Sequence, residues 1–440
     1  MTNQVNTREI VLDILLAVTR DGEFCHVVLQ NVLTKYAYLE KRDRSFISRI
    51  THGTLERMPE LDAILNQFSN VKVNKMKPVI RCILRSALYQ MLYMDGVPDS
   101  AACNEAVKLA GKRGFKNLKG FVNGVLRNIS RNKNAIKYPD KSEFVEYMEM
   151  KYSILPWMSE LWLESMSEDE VEELGKAFLT EGPTCVRVSK PKEVQGLVES
   201  LSAQGITVKR HEIYEDVLYI SDYDSLNRID EFERGQFYVQ DISSMEIARV
   251  LEPKTGEIGV DVCSAPGGKS IHVAQIMDPD GQGEKNGVVY ARDLTPMKIE
   301  LIEENICRTG VKNVIPQCYD ATVLDEEMVG KADFVIADLP CSGLGIIRKK
   351  PDIKYHTSIE KVEELSALQQ KILSVVNAYV KEGGKLIFST CTINHLENQD
   401  NTKAFLEKHP QFQLIKEKQM LPKDGRQDGF YYALFKKGAK

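Results

Sequence analysis

The sequence is short of several features that would settle its class early. No apolar run approaches the roughly 20 residues that a bilayer-spanning helix needs, so a membrane protein is not expected. The apolar N-terminal stretch "REIVLDILLAV" carries Arg8, Glu9 and Asp13, and Ile10, Ile14 and Ala17/Val18 recur at helical spacing. That pattern predicts a core-facing amphipathic helix rather than a signal peptide. Nine cysteines are present but none forms a C-x-x-C pair, which excludes zinc ribbons and thioredoxin-like sites, and no metal is expected. An odd number of widely spaced cysteines fits free thiols in a reducing cytoplasm. Internal repeats and low-complexity tracts are also missing.

The content that remains is that of a folded multidomain chain. Its 440 residues allow two to four domains, and 43% are hydrophobic and 28% charged. The net charge of −5 hides a gradient. Residues 1–140 hold 22 Lys/Arg against 13 Asp/Glu, a balance of +9, whereas 141–240 sum to −11 and 241–440 to −3. A local basic region of that kind attracts nucleic acid whatever the overall charge.

Residues 1–140 carry apolar positions at three- and four-residue spacing throughout and are predicted all-helical, with Pro98-Asp99-Ser100 ending one helix and capping the next. The stretch 111–134 reads as glycine-broken loops with seven Lys/Arg between 112 and 133 and with Phe115 and Phe121 interleaved. A solvated face and a phosphate-contacting surface are equally good readings of it. Residues 141–239 read as linker helices and a small α+β domain with strands near 184–190, 206–213 and 217–222. From 240 to 440 apolar strands alternate with helices, which predicts a parallel sheet covered on both faces, closed by "GFYYALFKK" as an antiparallel edge strand.

The stretch "DVCSAPGGKS" (261–270) looks at first like a triphosphate-binding loop. The G-x-x-x-x-G-K-[ST] pattern needs glycine at 263, where Cys263 stands, and Pro266 removes a backbone N–H from any phosphate cradle. A G-x-G-x-x-G fingerprint is absent too. The loop still follows a strand's carboxyl end, where open α/β sheets bind ligands, and Gly267 and Gly268 allow close approach. Asp261, Asp293, Asp320 and Asp338 fall at or after the ends of four such strands. Four acids repel a polyphosphate and suit a nucleoside with a cationic centre, such as S-adenosylmethionine. Cys341 in "ADLPCSGLG" and Cys391 in "FSTCTINHLEN" both follow the carboxyl ends of predicted strands on the same edge, Cys341 after the strand that ends in Asp338 and Cys391 after the next. Thiols there suit methylation of pyrimidine carbon 5: a thiolate adds to carbon 6, which makes carbon 5 nucleophilic, and a carboxylic acid hydrogen-bonds the ring nitrogen.

The motifs "CSAPGGKS", "ADLPCSGLG", "RKKPDIKY" and "STCTINHLEN" resemble those of the Sun/Nop RNA 5-methylcytosine methyltransferases. "DRSFISRITHGTLERMPELDAIL" and "NEAVKLAGKRGFKNLKGFVNGVLRN" are similar to the helical, NusB-like front end of the RsmB (Sun) family within them, and the resemblance covers essentially the whole chain. It implies a helical NusB-like RNA-binding domain (1–140), the small α+β domain with its linker helices (141–239) and a Rossmann-like S-adenosylmethionine-dependent methyltransferase domain (240–440). The implied activity is cytosine-5 methylation of 16S ribosomal RNA by a cytoplasmic monomer. Transfer RNA as substrate, or a non-catalytic ribosome-assembly role, are the alternatives.

By that resemblance Cys391 is the nucleophile and Cys341 assists breakdown of the covalent adduct. Cys263, Ser264, Ala265, Pro266, Gly267, Gly268 and Lys269 line the cofactor loop. Asp293 holds the ribose, Asp320 lies near the adenine, and Asp338 lies by the methionine end and the target base, with Lys269 facing the active site. Ser264 stands where the family has alanine, Lys298 where arginine is common and Leu339 where alanine is frequent, and the loop 278–286 is longer than usual.

Overall fold

In the computed structural model, which describes residues 5–438, packing divides the chain into two units. One runs through Leu179 and includes Ile347–Ser358; the other comprises Thr180–Ile346 and the chain from Ile359 onward.

The first unit is built from helices because its apolar residues recur every three or four positions. The helix Pro78–Tyr93 is its centre, with Ile80, Ile83, Leu84, Ala87, Leu88 and Met91 all buried. The Asn6 side chain accepts from the backbone N–H of Arg8 and Glu9 at the start of Thr7–Thr19, and a Ser167/Glu170 capping box starts Glu168–Phe178. The stretch 111–134 departs from the expected loops, since Lys119–Arg131 is a helix. Val122, Val125, Leu126 and Ile129 form one buried stripe, and this burial outweighs the cost of Gly120 and Gly124, which face solvent. Asp99 does not cap its helix. Its carboxylate accepts from the Ser130 hydroxyl (2.7 Å) and from Lys133 Nζ (2.8 Å), tying two helices together. The helices Phe144–Tyr152, Pro156–Leu163 and Glu168–Phe178 belong to this unit, and Met150 joins its core.

The second unit holds two sheets. The smaller is antiparallel, in the order β2-β3-β1-β4, from β1 (Thr184–Val188), β2 (Thr207–Arg210), β3 (Val217–Ser221) and β4 (Phe237–Val239). Leu197 and Leu201 of the helix Val194–Ala203 share a core with Val186, Leu218 and Ile220 of this sheet.

The larger sheet contains β5 (Ile258–Asp261), β6 (Val288–Asp293), β7 (Val314–Cys318), β8 (Ala332–Asp338), β9 (Val380–Thr390), β10 (Phe412–Met420) and β11 (Phe430–Lys437), in the order β10-β11-β9-β8-β5-β6-β7. The strands β5 to β9 are mutually parallel, and β11 runs antiparallel to both its neighbours, β9 and β10. Chain order reverses between β5 and β8, so the ligand edge expected of an open α/β sheet lies at their carboxyl ends. The final strand β11 is not the edge: it lies between β9 and β10 with most of its side chains buried. The edge is β10, whose exposed Lys416, Glu417 and Lys418 blunt it against further pairing.

Candidate active site

The loop after β5 is held from inside. Asp261 is buried and accepts from the Ser270 hydroxyl (2.7 Å), which lies 2.8 Å from the Ser264 hydroxyl. Burial pushes the Asp261 carboxyl up to about 7, against the opposing pull of Ser270 and Lys269. Of the four strand-end acids, Asp261 is therefore part of the loop's scaffold. Gly267 sits at φ +100°, a conformation glycine favours, and starts the helix Gly268–Met277. A Cβ on Gly268 would stand 3.0 Å from the Tyr238 ring, whose hydroxyl donates to the Pro266 carbonyl (3.1 Å). The serine at 264 is thus used: it joins the polar chain that closes the loop.

Asp293, at the end of β6, accepts from the backbone N–H of Ala265 (3.0 Å) and Leu294 (2.8 Å), and Lys298 Nζ lies 2.9 Å from it. The lysine at 298 thus pairs with the acid that the resemblance assigns to the ribose. The Tyr319 N–H donates to the Asp293 carbonyl (2.9 Å), which sets the turn carrying Asp320 beside it. Asp320 accepts from the Thr322 N–H (2.8 Å), and hydrogen bonds from Thr322 hold its carboxyl below the usual range. Its bond is to its own turn, and in this it differs from Asp293 and Asp338.

Asp338, at the end of β8, accepts from Lys269 Nζ (2.5 Å) and from the Ser389 hydroxyl (2.7 Å). Lys269 also lies 5.5 Å from the centre of the Phe430 ring. Burial pulls the Lys269 ammonium down, but the Asp338 carboxylate outweighs it, so its pKa lies above the ordinary lysine value. A lysine committed to a carboxylate is no phosphate clamp. Cys263, half-buried, has its thiol pushed up by burial and by the charges of Asp293, Asp261 and Asp338. That negative field fits a cationic, hydroxylated ligand and opposes a polyphosphate.

Cys341 and Cys391 meet with their sulfurs 3.3 Å apart, although 50 residues separate them. The Cys341 thiol is pushed well above its usual range by the neighbouring Cys391 sulfur and by burial. The Gly345 N–H donates to the Cys391 carbonyl (3.0 Å), and a Cβ on Gly345 would lie 2.8 Å from that carbonyl oxygen and 2.2 Å from the Gly429 carbonyl oxygen, so the two loops pack backbone to backbone with the turn before β11 beside them. Sequence reasoning passed over the polar cluster beneath them: Ser342, Gln369, Thr392, Asn394 and Glu397 are all buried. The signal was the density of polar residues in "TCTINHLEN", which a surface loop explains equally well. Of the remaining cysteines, Cys25, Cys82, Cys103 and Cys185 are buried and Cys307 and Cys318 exposed.

In the helical unit, the basic run is partly used internally. Lys112 pairs with Glu9, Arg113 with Asp13 (2.5 Å) and Lys133 with Asp99 (2.8 Å), and Phe115 and Phe121 pack against the core. Lys116, Lys119, Arg127 and Arg131 remain exposed. No helix among the described residues is long and apolar enough to cross a membrane, and no cluster of metal-ligating side chains occurs among them.

Comparison with known proteins agrees with this geometry. Residues 248–436 match the family described as "16S rRNA methyltransferase RsmB/F", and residues 5–131 match the NusB family. The "Probable ribosomal RNA small subunit methyltransferase B" of Bacillus subtilis (strain 168) is 33% identical over 416 residues, 93% of this chain and 90% of the relative. The corresponding protein of Synechocystis sp. is 30% identical and is covered over 100% of its length. Among solved structures, that titled "Crystal Structure of PH0851" superposes with a TM-score of 0.82 at 25% identity, covering 99% of both chains. A NusB-like helical unit, a parallel sheet with a thiol pair at its carboxyl edge and near-full-length relatives together lead to one conclusion: the chain belongs to the ribosomal RNA small subunit methyltransferase B family.

Proposed function

We propose that this protein methylates carbon 5 of a cytosine in 16S ribosomal RNA, using S-adenosylmethionine and a covalent adduct through Cys391. The observation that carries the reading is the pair of thiols 3.3 Å apart at the same sheet edge as the Lys269–Asp338 ion pair. The loop Cys263–Lys269, Asp293 and Asp320 are the residues that would hold the cofactor, in the negative field that suits its sulfonium. When bound, S-adenosylmethionine supplies an electrophilic methyl group.

The chain's own task is to make carbon 5 nucleophilic. Cys391 Sγ bonds carbon 6 and opens the 5,6 double bond, whose electron pair moves toward carbon 5, while the Asp338 carboxylate orients the base by accepting from its exocyclic amino group. Lys269 holds Asp338 in place and keeps a positive charge near Cys391. Once carbon 5 carries the methyl group, its proton passes to Cys341 Sγ as that thiol gives its own proton to the departing Cys391 sulfur; the C5–H electron pair re-forms the 5,6 double bond and the Sγ–C6 bond breaks, leaving both cysteines as thiols. The target base has to leave its stack to reach these groups. The exposed Lys116, Lys119, Arg127 and Arg131 supply a phosphate-contacting face, and free thiols favour the reducing cytoplasm.

Bisulfite mapping of 16S RNA incubated with the protein and cofactor tests this reading. Cys391→Ala is expected to lose at least about 10⁴-fold in rate while cofactor affinity holds. Cys341→Ala is expected to accumulate a slow-migrating protein–RNA adduct on a denaturing gel. Cytosine-5 methylation by Cys391→Ala would overturn the assignment.

A further inference from the structure

The buried polar cluster under the two cysteine loops converges on Glu397, which is 0% exposed. One carboxylate oxygen accepts from the Ser342 main-chain N–H (2.9 Å) and Gln369 Nε2 (3.0 Å). The other accepts from Asn394 Nδ2 (2.6 Å) and from the Ser342 hydroxyl. Ser342 directly follows Cys341, and Asn394 lies three residues beyond Cys391 on the other loop. Gln369 also donates to the carbonyl of Pro340, the residue before Cys341 (2.8 Å).

A buried carboxylate is tolerated only where its oxygens are satisfied, and here three residues bring four donors. An amide of the same shape would turn its NH2 toward two of those donors, so the surroundings select a carboxylate. The cluster joins the loop that carries Cys341 to the loop that carries Cys391.

We infer that Glu397 is a positioning residue that locks the Cys341 loop to the Cys391 loop and so sets the distance between the two sulfurs. The inference rests on the reading that these thiols act together. Glu397 touches no reacting atom. The Gly345–Cys391 backbone bond does not involve Glu397, so its loss should loosen the loops without unfolding them.

The test uses the full chain as wild type, Glu397→Gln and Glu397→Ala, with two readouts. The first is oxidation by diamide, which takes one hydrogen from each thiol and leaves a Cys341–Cys391 disulfide, followed by peptide mass spectrometry. It needs no methylation, so it judges the geometry even if the proposed reaction is wrong. Absence of 5-methylcytosine with wild type would count against the reaction alone. The second is the split between kcat and KM on 16S RNA. In Glu397→Gln, disulfide formation is expected to slow about tenfold and kcat to fall about 10²-fold, with the KM for RNA and the cofactor affinity within about twofold. Glu397→Ala should show the same split more strongly; if it fails to fold, Glu397→Gln, which keeps the volume, decides alone. Disulfide formation at the wild-type rate in Glu397→Gln overturns the inference, whether kcat is kept or is lost together with KM and thermal stability.

Discussion

Two lysines, one in each unit, are withdrawn from solvent, Lys354 fully and Lys269 in part, with opposite consequences. Lys354, in the segment Ile347–Ser358 of the helical unit, is 2% exposed and has two carbonyl partners, Glu56 O and Ser153 O, each at 2.8 Å. Glu56 ends the helix Lys41–Glu56, and Ser153 follows the helix Phe144–Tyr152 in a left-handed conformation at φ 55°. The amine therefore sits on the negative ends of two helices. Burial still wins, and its pKa is pulled down to about 7. Lys269 has a full carboxylate, Asp338, at 2.5 Å, and there the carboxylate wins and holds the charge. The lesson is quantitative: partial charges at helix ends do not offset desolvation of an ammonium, whereas a paired carboxylate does. An amine of the first kind serves as an anchor. One of the second kind is a persistent charge, usable in chemistry.

The largest effect expected from this contrast is on Lys269. Lys269→Met removes the charge beside Cys391 and leaves Asp338 with only Ser389. In the proposed reaction, single-turnover rates on 16S RNA should fall about 10²-fold or more, with little change in melting temperature. A variant that keeps its rate would make Lys269 a structural lysine like Lys354 and erase the distinction.

Much of this frame was readable in the chain. The strands β5, β6 and β8 are short apolar runs ended by acids, and Asp320 follows β7, so the strand–helix alternation and the ligand-binding strand ends followed from pattern; the order of the strands did not, and the last strand, expected at the edge, lies inside the sheet. What escaped was polar and buried. Glu397, Asn394 and Gln369 carry no periodicity that separates them from a surface loop, because their burial depends on two distant loops meeting. The strand β10 reads "FQLIKEKQM", whose charges suit an edge and mask the alternation. Lys119–Arg131 was obscured by glycines that packing overrides, and Lys354 sits in a basic motif that looks like a solvated surface. Side-chain roles set by tertiary contacts leave no local trace, whereas strand ends do.

An intermediate effect is expected at Lys354, in stability rather than chemistry. Its folded pKa of about 7 lies below its ordinary 10.5, so between those values the unfolded chain binds more protons and the helical unit should gain stability as pH rises. Lys354→Met removes that gain and leaves the Glu56 and Ser153 carbonyls without this partner, costing about 1–3 kcal/mol at the alkaline end. Calorimetry of both proteins across that window reads the difference. Parallel curves would mean that Lys354 stays charged in the fold, as Lys269 does.

The smallest effect carries the same contrast over to an acid. Asp261 is buried with the Ser270 hydroxyl as its side-chain donor, and its folded pKa of about 7 stands above the ordinary 3.8. In that interval the folded chain keeps a proton that the unfolded chain has released, so stability should fall as pH rises from about 4 to about 7, the reverse of the lysine case. Asp261→Asn keeps an acceptor for Ser270 and cannot ionise, so its urea midpoint should lose that slope while staying within about 1 kcal/mol of wild type at the acidic end. Among the described residues, Asp261 differs from Asp338 in having no cation within ion-pair distance, as Lys354 differs from Lys269 in having no carboxylate there. If Asp261→Asn retained the wild-type slope, the carboxyl would be ionised in the fold. A hydroxyl donor would then suffice for a buried acid where two helix ends do not suffice for a buried amine, and the rule drawn from the lysines would hold for cations alone.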